Sequence, residues 1–109
     1  MSQIIQGTTP TIVYTFNSVD VESITTAELT FKGNGAIVLQ KHIAAATVTP
    51  ATQTAPGTIA WKLSQAETIE LYKSGKLGMM CNWKTTDGTR GASAETIVFF
   101  TANHIAEVI

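Results

Sequence analysis

Apolar and polar residues alternate along most of this chain. Thr11 to Phe16 (TIVYTF) puts Ile12, Tyr14 and Phe16 on one face and Thr11, Val13 and Thr15 on the other. β-Branched and aromatic residues at a period of two predict a strand. The same pattern predicts strands over Thr26 to Lys32, with Ala27, Leu29 and Phe31 inward, and over Ala36 to Ile43. Thr58 to Leu63 places Ile59, Trp61 and Leu63 on one face, and Lys76 to Lys84 does so with Leu77, Met79, Cys81 and Trp83. A short edge strand at Thr47 to Thr49 stops at Pro50, and a last long strand runs from about Ala92 to Thr101. Two turns join these runs. Asn34-Gly35 suits a type I′ hairpin, whose central residues both need positive φ. Thr85 to Thr89 (TTDGT) predicts a second, with Gly88 at positive φ. Asn17 to Ser23 and most of Ala44 to Gly57 read as loops, and Ala102 to Ile109 as a terminal extension.

One stretch has a different rhythm. Leu63 to Gly75 (LSQAETIELYKSG) predicts a helix over about 65–73. Ser64 with Glu67 three residues later is a capping box, each side chain bonding the other's backbone N–H. Ala66, Ile69 and Tyr72 recur at a spacing of three and predict the apolar stripe. Lys73 complements the negative helix end, and Gly75 suits the left-handed residue that terminates it. The elements together predict a mainly β chain: an Ig-like β-sandwich of about seven strands with one short inserted α-helix, a single domain over 1–109.

Composition narrows the choice of partners. Of the 109 residues, 44% are hydrophobic and 14% charged, against a usual charged share of about 25%. Such a surface suits extensive protein contacts. The net charge is −1 and no basic run is present, so nucleic acid is not an expected partner. Met1 to Pro10 lacks a basic region followed by a long apolar stretch, so no signal peptide is expected. No apolar run reaches membrane-spanning length, so no membrane partner is expected either.

Candidate chemistry is sparse. The lone Cys81 excludes an intrachain disulfide and reads as a small buried hydrophobe. His42 and His104 have no metal-ligand spacing, the acids are scattered, and Ser93 lacks a nucleophile-elbow context. No catalytic, cofactor or metal residue is assigned, and no enzyme activity is expected. By parity Trp61 and Trp83 belong to the core, which argues against a sugar platform. One anomaly remains. Met79-Met80 and Phe99-Phe100 put large apolar groups on both faces of their strands, whereas a sheet with one wet face alternates. The ends, Ile4-Ile5 and Val108-Ile109, are apolar too. Ile4, Ile5, Met80, Phe100, Val108 and Ile109 are therefore the candidate protein-interface residues.

Four stretches resemble a group of small proteins of tailed bacteriophages and prophages of gut bacteria. They are QGTTPTIVYTF at Gln6 to Phe16, Leu-Ser-Gln-Ala-Glu-Thr at Leu63 to Thr68, the strand, Thr-Asp-Gly turn and strand from Met79 to Ser93, and the end in Val108-Ile109. They follow the group's order and span most of the chain. The chain departs from the group at Met80-Cys81-Asn82-Trp83, where a Gln- and Arg-bearing strand is usual, and at Ala66, where Glu is usual. The resemblance implies a non-enzymatic virion structural protein with a β-sandwich fold, in head, connector or tail. It would contact other virion proteins in many copies, and it implies no cofactor. The alternative is a carbohydrate-binding module of a phage tail or baseplate.

Overall fold

The computed structural model describes residues 2–102. Its strands are β1 (Ser2–Ile5), β2 (Thr11–Phe16), β3 (Ile24–Gly33), β4 (Ala36–His42), β5 (Thr47–Thr49), β6 (Gly57–Lys62), β7 (Lys76–Thr85), β8 (Arg90–Ala92) and β9 (Thr96–Thr101). One helix, α1 (Gln65–Tyr72), joins β6 to β7. The larger sheet has the order β1–β9–β7–β3–β4, with β8 also on β7, and the smaller has the order β2–β6–β5. Every pairing is antiparallel except β1 with β9. The chain is mainly β, two sheets with a short helix, as a β-sandwich requires.

The period-two pattern decides what lies between the sheets. Ile12, Tyr14 and Phe16 of β2 and Ile59 and Trp61 of β6 pack with Ala27, Leu29 and Phe31 of β3 and Leu77, Met79 and Cys81 of β7. Burying each large side chain stabilises the fold by about 1.5–3 kcal/mol. Edge-to-face ring pairs add to this packing: Tyr14–Trp61 at 6.3 Å within the smaller sheet, Phe31–Phe100 at 6.2 Å within the larger, and Phe16–Trp83 at 5.0 Å between the two. The wholly buried Trp61 needs a partner for its N–H, and Nε1 donates to the His42 carbonyl at 3.0 Å. Burial also pushes the Cys81 thiol up to about 11, so it stays protonated.

The turns follow the local chemistry. Asn34 (φ 52°) and Gly35 (φ 78°) carry the β3–β4 hairpin as a type I′ turn. Gly88 (φ 87°) carries the β7–β8 turn, where Asp87 accepts from the Thr85 hydroxyl and from the Thr89 N–H at 2.9 Å. These bonds hold the Asp87 carboxyl down at about 2. The capping box of α1 is present: Glu67 N–H donates to Ser64 Oγ at 3.1 Å, and Ser64 N–H to Glu67 Oε1 at 2.7 Å. Lys41 Nζ of β4 donates to the same Oε1 at 2.9 Å. Partial burial pushes Glu67 up, but the Ser64 N–H and Lys41 outweigh it and hold the carboxyl below its usual range.

Four expectations need correction. The described residues hold nine strands rather than about seven. The extra one at the start is β1, where Ile4 and Ile5 pair with β9 instead of leading a free end. The last long strand is broken between β8 and β9. There Ser93 Oγ, not a backbone carbonyl, accepts from the Cys81 N–H at 2.9 Å, while Ser93 N–H donates to the Cys81 carbonyl at 2.8 Å. The helix buries Thr68 and Leu71, not a stripe of Ala66, Ile69 and Tyr72; Ala66 is exposed and the other two are half-buried. A threonine can face inward because its hydroxyl is bonded. Thr68 Oγ1 lies 2.8 Å from the Thr8 carbonyl and 3.1 Å from that of Gln65. The Asn17–Ser23 loop also holds a 3-10 turn at Val21–Ser23, with Val21 in the core.

Candidate protein interface

Directly opposed residues on neighbouring strands share a face, so register maps the outer surfaces. On the larger sheet one outer row reads Ile97–Gly78–Lys32–Ile37 across β9, β7, β3 and β4. The next reads Met80–Thr30–Gln40. Phe99 opposes Lys76, and Ile5 opposes Thr101. Ile37 is 56% exposed, Ile5 46% and Ile97 36%. Met80 and Phe99 are half-buried.

Charged side chains lie among these apolar groups. Lys76 Nζ sits 5.9 Å from the Phe99 ring centre, a cation–π contact. The Glu95 carboxylate lies across Gly78, where a β-carbon would collide with it. Lys32, Lys76, Glu95 and Ile97 line a groove of about 560 Å³. The helix does not cover this face. Leu71 belongs to the core with Leu77, Val98 and Phe100, and α1 touches β9, β1 and β4.

The outer face of the smaller sheet is different in kind. Thr15, Thr58 and Thr49 form one row across β2, β6 and β5, and Val13, Ala60 and Thr47 form the next. Thr11 and Lys62 complete it. Short side chains make a flat surface, and Lys62 is the single charge in those rows.

The six expected interface residues separate. Ile4 (6% exposed) and Phe100 (5%) lie in the core, opposed to each other in the β1–β9 pairing. They are corrected to core residues: the parallel partner that buries Ile4 is invisible locally, and β9 turns Phe100 inward with Val98. Ile5 and Met80 do lie on the outer face of the larger sheet, on strands β1 and β7 with β9 between them. Val108 and Ile109 lie outside the described residues. Sequence reasoning missed Ile37 and Ile97 as surface residues. Ile97 was readable, since it alternates with Val98. Ile37 was not, because a bulge between Phe31 and Lys32 leaves Val38 as an extra residue and resets the parity of β4.

Some polar groups elsewhere are tied into the fold. Glu28 accepts from Gln40 Nε2 at 3.1 Å and lies 3.4 Å from His42 Nδ1. The Tyr14 hydroxyl is buried near Ser93, outside hydrogen-bonding geometry, and burial raises its pKa. Among the described residues no three His, Cys, Asp or Glu side chains gather as a metal set. No described helix is long and apolar enough to cross a membrane. No protein-family model matches this chain, and a search of curated proteins finds no match to it either.

Proposed function

We propose that this chain is a non-enzymatic bacteriophage virion structural protein, present in many copies and held in head, connector or tail by repeated contacts with other virion proteins. The observation that carries the reading is the outer face of the larger sheet, where Ile5, Ile97 and Ile37 stand exposed around half-buried Met80 and Phe99. Covering apolar area is worth about 25 cal/mol per Å², before the cost of association. An interface of about 1,600 Å² holds a subunit without a covalent link. The resemblance in Gln6–Phe16, Leu63–Thr68 and Met79–Ser93 supports a virion setting, and the stacked sheets support an Ig-like sandwich. The test is quantitative mass spectrometry of purified particles. Stoichiometric recovery with the major capsid protein is expected, and absence from the particle would overturn the reading.

A further inference from the structure

We propose that a cleft on the outer face of the larger sheet, beside β8, is a binding site for an acidic sugar, with Lys84 and Arg90 receiving its carboxylate. The cleft measures about 230 Å³ and is lined by Thr26, Glu28, Asn82, Trp83, Lys84 and Arg90. It is smaller than a drug-sized pocket, which starts near about 300 Å³, and suits a single sugar residue.

The cleft carries an uncompensated charge. Lys84 of β7 directly opposes Arg90 of β8. Like charges in that position destabilise a sheet. Neither side chain forms an ion pair or hydrogen bond with a described residue. The one acid lining the cleft, Glu28, is already engaged by Gln40 and His42 on the β4 side. An arriving carboxylate would relieve the repulsion, and a guanidinium can hold it through two parallel bonds.

The rest of the lining is polar. The Thr26 hydroxyl and the Asn82 amide offer donors and acceptors beside the cationic pair. Ring hydroxyls would use them, whereas an aspartate or glutamate side chain would not. The indole of the neighbouring Trp83 lies on the inner face, against Phe16 and close over Gly91, so the cleft is lined by polar and charged side chains.

This inference does not depend on the virion reading. The test is an NMR titration of the labelled chain at low salt with glucuronate, methyl glucoside and free glutamate as probes. Saturable shifts at Asn82, Lys84, Arg90 and Gly91 are expected with glucuronate and not with the other two. Arg90→Ala and Lys84→Ala should each weaken glucuronate at least about tenfold, with the dispersion of the remaining spectrum unchanged. Lys62→Ala, on the other sheet, should leave binding intact. Equal binding of glutamate would overturn the sugar assignment in favour of an acidic protein side chain. No saturable shift with any probe, or equal affinity in the variants, would overturn the site itself.

Discussion

The two sheets have inner faces built by one rule and outer faces built by two. Inside, both follow alternation, interrupted in the larger sheet where β3 shifts register with its partners, and bury aromatic and branched groups: Trp61 and Ile59 from the smaller sheet, Phe31 and Leu29 from the larger. Outside, the smaller sheet presents Thr15, Thr58, Thr49, Val13 and Ala60, and the larger presents large apolar groups with Lys76 and Glu95 laid among them. The inner rule is what folding demands. The same demand is met beneath both outer faces, so it does not explain why they differ. That difference is where selection for something other than stability would be visible, and it singles out the larger sheet.

The comparison can be broken first from inside. Trp61→Ala and Phe31→Ala should each cost about 3–5 kcal/mol, measured by chemical denaturation. A much smaller cost for one would mean that the two inner faces are not equivalent. The next effect belongs to the larger sheet alone, through its β3–β4 hairpin. Gly35→Val forces a branched side chain to positive φ and should cost about 1–3 kcal/mol. A thermal melt with an unshifted midpoint would contradict the type I′ turn. At the link between the sheets, Ser64→Ala removes the helix cap and should cost about 0.5–2 kcal/mol. Hydrogen exchange should show the loss first at the start of α1. The smallest effect sharpens the comparison most. Ile97→Thr on the larger sheet and Val13→Thr on the smaller should each change monomer stability by no more than about 0.5 kcal/mol. On the proposed virion function, only Ile97→Thr should impair incorporation into particles, and equal impairment by both would erase the distinction between the faces.

Much of the fold is legible locally. The facing of β2, β3, β6 and β7 follows from alternation, and the Asn34-Gly35 turn and the Ser64–Glu67 box follow from residue type at fixed spacing. What escapes is set by distant partners. β1 is four residues without an alternating signal, stabilised by a strand at the other end of the described chain. The break before β9 depends on one serine hydroxyl replacing a carbonyl in the ladder. The helix face turns on Thr68, a polar residue buried because Thr8, sixty residues away, supplies an acceptor. The candidate interface suffered likewise. Apolar residues marked it, but only register separates Ile5 and Met80, on the surface, from Ile4 and Phe100, in the core.

The parallel pairing of β1 with β9 also sets an order of events. Ser2 opposes Val98, so about a hundred residues separate the partners. Closing so long a loop is entropically costly, although each doubling adds only about 0.6 kcal/mol. Non-local pairings of this kind slow folding. On a ribosome that adds about 5–20 residues per second, β1 emerges before β9 and waits several seconds for it. During that interval Ile4 has no strand to pair with and Phe31 lacks Phe100. β1 is thus made long before β9 but secured only with it, and the edge of β7 that β9 will occupy stays open until then. The nascent chain is most prone to pair with the wrong strand in this window, and synthesis of β9 closes it.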